Sequence, residues 1–479
     1  MTAGGGPPAR AAALHRLATE AFDVVVVGGG ITGAGVALDA AARGLRTALV
    51  ERADFASGTS SRSSKLVHGG LRYLQQREFR LVRECLAERQ RLLDNAPHLV
   101  RPLDFVIPLL GAGGAVTRAV ARGYATALWA YDLSGGLRIG RRHRRLSAEG
   151  VLAALPAVRA GLVASGFSYA DAFADDARLT LAVVRTAVDH GAVVANHTPV
   201  AAVRKDSAGR VAGVVLGDGS EVGAGVVVNA GGVWAERVAT LDSARAAPRL
   251  RPAKGVHVVV DRRRLPCHSA AVLPAPDRRS VFVVPWGQRV YLGTTDTPHD
   301  GDLDDPQCTP ADVAYLLEAA NGALADRLDE ADVVGTWAGL RPLLGGSRSS
   351  RTVDLSRRHR VSTSPGGMVT VTGGKLTTYR RMAAETVDEV VRLLGRGARK
   401  CPTRSLALHG AVTAPVEGAP APDLDAAAVA HLASRHGTEA GAVAEPVAAD
   451  PELAQPLVAG LPYLRAEALH AVRAEMAFT

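Results

Sequence analysis

The stretch Asp23–Glu51, DVVVVGGGITGAGVALDAAARGLRTALVE, leaves few folds open to this chain. Asp23 to Val27 is an unbroken β-branched, apolar run, the pattern of a strand buried on both faces. Gly28, Gly30 and Gly33 follow in G-x-G-x-x-G spacing. The first glycine permits a tight turn, the second lets backbone approach a pyrophosphate, and the third lets a helix pack closely on the strand. A helix is predicted from about Thr32 to Arg43, stopped by Gly44, with its positive end aimed at a diphosphate. Arg46 to Val50 reads as a second strand, and Glu51 at its end is placed to accept a ribose 2′-hydroxyl and to repel a 2′-phosphate. The unit predicts a bound dinucleotide and leaves FAD and NAD open.

The 479 residues suggest two to three domains, and 47% hydrophobic content suffices for large cores. A net charge of +9, carried mostly by arginine, suits an anionic substrate or an anionic membrane surface. No nucleic-acid-binding motif accompanies it, so nucleic acid is not expected as a partner. Cys85, Cys267, Cys308 and Cys401 are scattered, without C-x-x-C or Cys/His ligand spacing, which predicts no metal site and a reducing compartment. Residues 1–20 lack an apolar signal core, and no run approaches the roughly 18 apolar residues of a membrane span.

After the dinucleotide unit comes DFASGTSSRSSKLVHGGLRYL, Asp54–Leu74. Thr59, Ser60, Ser61, Ser63 and Ser64 offer hydroxyls to phosphates or a flavin ring, and Lys65, His68, Arg72 and Tyr73 cluster just behind them. This segment, with GGGITGAG and REFRLVRECLAERQRLLDNAPHL, resembles the FAD-dependent, respiratory glycerol-3-phosphate dehydrogenases of the D-amino-acid-oxidase-like superfamily. FADDARLTL, VVVNAGGVWAERV, RPAKGVHVVV, VFVVPWGQRVYLGTTDT, WAGLRPLL and VTGGKLTTYRRMA extend the resemblance, in the same order, over nearly the whole chain.

The resemblance implies an α/β fold, α+β overall. A Rossmann-like FAD-binding domain (21–100, 150–245 and 356–400) would carry an antiparallel-sheet substrate domain (101–149 and 246–355). A tail at 1–20 and a linker with a small C-terminal helical domain at 401–479 would complete it, the linker being the Pro/Ala/Gly-rich stretch 412–425. It implies oxidation of glycerol 3-phosphate to dihydroxyacetone phosphate, with hydride passing from C2 to flavin N5 and electrons continuing to membrane quinone. The protein would then be cytoplasmic and peripheral on the inner face of the plasma membrane. A glycerol-3-phosphate oxidase using O2, or a related flavin amine oxidase, is the alternative. A second is a flavin-binding chain of little activity, since the family usually continues past AEMAFT. The oligomeric state stays open, a homodimer included.

Three tasks follow from that chemistry. Phosphate binding calls for arginine. Arg341 in GLRPLL matches the family's substrate-binding arginine, Arg357 sits near a second (with Arg351 or Arg358 as substitutes), and Arg72 is a third candidate. Proton removal calls for a group titrating near neutrality, His68 first and His257 second, with Tyr73 orienting substrate. Stabilising a reduced flavin falls to the Gly373-Gly374-Lys375-Leu376 turn, where a helix starting at Lys375 would bring both dipole and charge. Gly231, after the strand Val226–Asn229, lies where the family's chain passes the adenosine. The basic run Arg138, Arg141, Arg142, His143, Arg144 and Arg145 reads as a solvated face or as a contact for anionic headgroups.

Overall fold

The computed structural model describes residues 7–71, 73, 78–277, 279–345, 358–395, 397–411 and 424–478. Its first sheet is built around β1 (Phe22–Val27), every residue of which is buried. β1 pairs in parallel with β10 (Glu221–Asn229) on one side and β2 (Thr47–Val50) on the other. β7 (Val193–Ala195) continues beyond β2, and β18 (Val369–Thr372) beyond β10, both parallel. β17 (Arg360–Thr363) closes that edge as an antiparallel strand. Helix α1 (Pro7–Thr19) joins the hydrophobic cluster on one face of this sheet through Leu17. α2 (Ile31–Ala42) is the crossover between β1 and β2, and it carries no charge in its buried stripe except Asp39, which pairs with Arg43 at 2.6 Å. Continuous apolar strands are required here, because helices cover both faces of a parallel sheet.

The second sheet has ten strands. β4 (Val100–Leu110) runs antiparallel to β6 (Val163–Ala174) over its full length, from Val100↔Ala174 to Leu110↔Val163. β12 (Ala270–Pro274), β13 (Ser280–Trp286), β14 (Arg289–Gly293), β11 (Ala253–Asp261) and β16 (Val333–Arg341) extend it. β3 (Leu66–Val67) and β5 (Arg144–Leu146) pair with β6. β6 thus lies in the second sheet, although 150–245 groups with the dinucleotide domain in the sequence reading. Its partner β4 is far away in sequence, and strand pairing at that distance leaves no local signal.

The segments expected as helices at 79–93, 115–131 and 175–190 form α3 (Phe79–Asn95), α4 (Arg118–Leu133) and α5 (Asp176–Asp189). Asp175 caps α5, its Oδ1 accepting the Arg178 N–H at 3.2 Å. The helix expected over 309–328 is shorter, α6 (Pro310–Asn321), because Gly322 ends it. α7 (Tyr379–Leu394) returns to the first sheet and packs on α2, where Gly35 leaves room for the Tyr379 ring. Residues 412–423 of the expected linker lie outside the described residues. Beyond them α8 (Ala426–His436) and α9 (Arg465–Ala474) enclose a small core of Leu432, Val443, Val447 and Leu464.

This helical module meets α5 through charge. Arg178 reaches Glu475 at 2.6 Å, Arg185 grips Glu439 at 2.7 Å, and Arg435 reaches Asp175 at 3.1 Å. His409 stands between Asp189 at 2.7 Å and Glu439 at 2.9 Å. Burial disfavours the His409 cation, but the hydrogen bonds to Asp189 and Glu439 outweigh it and lift its pKa to about 9. A raised histidine stabilises fully below its unfolded value near 6.5 and ceases to do so as pH rises through 9. We therefore expect the module to loosen between pH 7 and 9.5, read as faster limited proteolysis near residue 411. His409→Gln should remove that pH step.

Candidate active site

Between the two sheets lies a cavity of about 890 Å³ that runs from the glycine turn to the Gly373–Leu376 turn. That is the upper part of the roughly 300–1,000 Å³ typical of ligand pockets. Gly28 opens it with φ +113°, a left-handed conformation that glycine alone adopts readily. A Cβ on Gly33 would lie 1.8 Å from the Gly28 carbonyl oxygen, so the helix could not approach the turn. A Cβ on Gly30 would lie 3.1 Å from Ser60 Oγ. No side chain of the turn caps α2; Ser60 Oγ accepts the Ile31 N–H at 2.9 Å instead. Its own O–H is left to donate to whatever the helix end holds. Thr32, Gly231 and Glu51 line this end. The Glu51 carboxylate is fixed by the Gly29 N–H at 2.6 Å and the Ala53 N–H at 2.9 Å, which sets its orientation toward a hydroxyl donor in the cavity. A glycine cradle that a single Cβ would fill, with a fixed carboxylate beyond it, suits the ADP half of FAD.

The serine-rich loop is divided in its roles. Thr59 Oγ1 donates to the Leu340 carbonyl at 2.6 Å and ties the loop to β16. Ser61, expected to face a cofactor, does not line the cavity; its hydroxyl turns back to the Gly58 carbonyl at 3.4 Å because residues 59–61 form a 3-10 turn. Asp176 gathers the next stretch, accepting from Ser63 Oγ at 2.6 Å and Lys65 Nζ at 2.5 Å. Ser64 lines the cavity and contacts His257 Nε2 at 2.8 Å.

His257, the second candidate for proton removal, is reached from the cavity only through Ser64. It stacks on Trp337 with centroids 4.5 Å apart, lies behind Ser64 and does not line the cavity. Burial, then the charges of Arg341 and Lys65, hold its pKa well below the ordinary histidine value, so the ring is neutral. The Ser64 loop lies between the ring and the cavity.

His68, Tyr73, Lys375 and Arg341 all line the cavity. The His68 loop is pinned from beneath. Gly69 N–H donates to the Tyr131 hydroxyl at 2.9 Å, Tyr131 donates to Asp171 at 2.6 Å, and Arg89 holds Asp171 at 2.7 Å, all buried. Burial raises the Asp171 carboxyl, with Arg89 opposing. Lys375 Nζ sits 3.7 Å above the Tyr73 ring and 3.4 Å from Cys85 Sγ. Gly373 and Gly374 both adopt positive φ, and the extended Lys375 is the N-cap of the helical stretch that follows. That stretch opens as a 3-10 turn over Leu376–Thr378 and continues directly into α7 at Tyr379.

Arg341, at the end of β16, is oriented by Thr294 Oγ1 at 3.2 Å, the Thr295 carbonyl and Asp296 at 3.4 Å. Arg72, Arg351 and Arg357 lie outside the described residues. Arg358, the other substitute, pairs with Glu78 at 2.5 Å. Arg279 was not singled out from sequence, yet it lines the cavity and donates to the Asp296 carbonyl at 3.2 Å, next to Arg341. Its only sequence signal is a place before a valine-rich strand, which many arginines here share.

The basic run is neither wholly solvated nor uniform. His143 is buried against Asp132 at 2.7 Å, Arg141 pairs with Asp104 at 3.0 Å, and Arg142 lies 4.2 Å above the Trp129 ring. Beside it Trp129, Leu133 and Leu137 are exposed, Leu133 by 76%. Val116, Val120 and Tyr124, at and just before the start of the same helix α4, line the cavity. Among the described residues no helix is long and apolar enough to cross a membrane.

Comparison with known proteins adds the following. Residues 23–380 match the FAD dependent oxidoreductase family, and residues 401–479 match the C-terminal domain of alpha-glycerophosphate oxidase. A "Glycerol-3-phosphate dehydrogenase 2" of Mycobacterium bovis is 43% identical, over 98% of this chain and 81% of that protein. An "Aerobic glycerol-3-phosphate dehydrogenase" of Staphylococcus haemolyticus is 36% identical, over 96% of this chain and 86% of that protein. The crystal structure of a glycerol-3-phosphate dehydrogenase from Bacillus halodurans complexed with FAD superposes with a TM-score of 0.78 at 32% identity, over 99% of this chain and 87% of that one.

Proposed function

This chain belongs to the FAD-dependent glycerol-3-phosphate dehydrogenases, and from that premise we propose that it oxidises sn-glycerol 3-phosphate to dihydroxyacetone phosphate and delivers the electrons to a membrane quinone. The observation that carries the substrate reading is one cavity that joins a dinucleotide cradle to a cluster of Arg341, Lys375, His68 and Tyr73. Bound FAD supplies the acceptor, at N5, for the hydride that leaves C2. The protein's own groups do the rest. Arg341, its fork aimed by Thr294 and Asp296, binds the phosphate, and Arg279 adds charge beside it. Arg72 and Arg357 are further candidates for the same dianion. His68 accepts the 2-hydroxyl proton, on a loop that the Arg89–Asp171–Tyr131 chain keeps in place. Tyr73 and Lys375 orient the glycerol carbons, and the Lys375 charge favours an electron-rich flavin.

Helix α4 supports a lipophilic acceptor. Val120 and Tyr124 line the cavity, while Trp129, Leu133 and the neighbouring Arg138 and Arg142 form an exposed apolar and basic face. A quinone would pass from an anionic bilayer along that face to the cavity, so the protein would sit peripherally on the inner leaflet. Titration of the purified yellow protein with glycerol 3-phosphate under argon should bleach the flavin at one equivalent. A protein that stays yellow sinks the substrate reading. Reoxidation by a soluble quinone analogue should outpace reoxidation by air; stoichiometric peroxide at the faster rate would make the protein an oxidase. Sedimentation with phosphatidylglycerol vesicles should fall severalfold in Leu133→Asp, and equal sedimentation would remove α4 as the contact.

A further inference from the structure

The junction between α5 and the C-terminal module holds a second cluster, unconnected to the reacting end of the cavity. His436 closes α8, His470 lies in α9, and Glu475 caps α9. All three are buried, and their ligand atoms lie within 4.8 Å of one another. His436 Nδ1 is 3.6 Å and His470 Nε2 3.9 Å from Glu475 Oε1. Among the described residues neither His470 Nε2 nor Glu475 Oε1 has a hydrogen-bond partner, although each residue is more than nine-tenths buried; the other charges nearest to them, Glu439 Oε2 and Arg185 Nη1, each stand off at 3.7 Å. Buried polar atoms are nearly always paired, so two unpaired atoms 3.9 Å apart leave a place for a third body.

Charge points the same way. Five carboxylates at this junction (Asp175, Asp189, Glu439, Glu467 and Glu475) face three guanidiniums (Arg178, Arg185 and Arg435) and the His409 imidazole, its pKa raised to about 9. The excess is negative, and a cation at the centre reduces it. We propose that His436, His470 and Glu475 bind one Zn²⁺, which ties the end of α8 to the end of α9. Two imidazoles and one carboxylate are a borderline-soft donor set suited to zinc, with water in the fourth position. Tetrahedral zinc separates its donors by about 3.4 Å, so Glu475 Oε1, at 3.6 and 3.9 Å from the two imidazole nitrogens, needs little movement, and the two imidazoles, within 4.8 Å of each other, close on the ion. The ion displaces the contact of Arg178 Nη2 with His436 Nδ1, now 3.2 Å, while Arg178 keeps Glu475 Oε2. His436 Nε2 keeps Glu467 at 3.2 Å, the outer-shell carboxylate that orients a ligating imidazole. The site would set the docking of the module, because Glu475 is both a ligand and the partner of Arg178.

The test uses the flavin-loaded full chain, stripped with a chelator and then offered Zn²⁺. Atomic spectroscopy should find about one zinc per chain after desalting, and the temperature of flavin release should rise by roughly 2–4 °C. His470→Gln and Glu475→Gln should retain flavin and lose both effects. Cobalt binding to the unmutated protein, read by absorption beyond the flavin bands, covers the case in which the variants do not fold. Zinc retained equally by the variants, or no metal on the unmutated protein, overturns the proposal. So does a melting temperature that follows pH and not zinc, since a proton would then be the missing cation.

Discussion

Arg341→Met should lower kcat/KM for glycerol 3-phosphate by roughly 10³-fold while leaving flavin content unchanged. Arg341 is the described arginine that both lines the reacting end and is aimed by three neighbours, Thr294, Thr295 and Asp296. Removing it takes a bidentate, charge-assisted contact from a dianion in a partly dehydrated cavity, where such contacts are worth about 2–5 kcal/mol. The phosphate is the handle that positions C2 and its hydroxyl, so kcat should fall along with the rise in KM. Arg341→Lys should recover only part of the loss, because an ammonium keeps the charge without the fork. Steady-state kinetics on flavin-saturated protein decides; activity within threefold of the parent would transfer the phosphate to Arg279, Arg72 or Arg357.

Gly33→Ala should yield protein with less than about a tenth of the normal flavin, because the added Cβ would stand 1.8 Å from the Gly28 carbonyl oxygen. The atom that the Cβ meets is backbone, so no flexible side chain can swing away. Relief requires α2 to retreat from the turn, and that retreat moves the Gly28–Gly30 backbone from the diphosphate. Gly123→Ala is the control: it lies in α4, nothing stands within 4 Å of its Cβ, and helix propensity improves by about 1 kcal/mol. Absorbance ratios of the two purified proteins give the answer. A Gly33→Ala protein with full flavin would mean that the turn tolerates opening.

Much of the dinucleotide end was legible because its signals are local. Gly28, Gly30, Gly33 and Glu51 lie within one strand–turn–helix–strand unit, so spacing alone places them around one turn. The reacting end is assembled from segments hundreds of residues apart. His68 stood out in the cluster behind the serine run, and its candidate role, like those of Arg341 and Lys375, came from the resemblance of HGGLRYL, GLRPLL and GGKLTTYR to a family, whereas Arg279 and the supporting Arg89–Asp171–Tyr131 chain carry no such mark. Ser61 and His257 have fitting chemistry in sequence, but a 3-10 turn and a neighbouring loop set them back from the cavity lining. The zinc cluster is invisible to a search for ligand spacing, since α8 and α9 must pack before His436 meets His470 and Glu475.

By itself, then, the sequence determined the dinucleotide turn, the parallel strands around β1 and the family, all properties of contiguous residues whose periodicity and glycine positions follow from local sterics. Tertiary structure alone decided which hydroxyls and imidazoles reach the cavity, that β6 joins the second sheet, and how the C-terminal module meets α5. Those outcomes depend on burial and on pairings between distant segments. Burial sets whether a histidine is a neutral wedge or a base, and no single stretch of chain encodes its own depth.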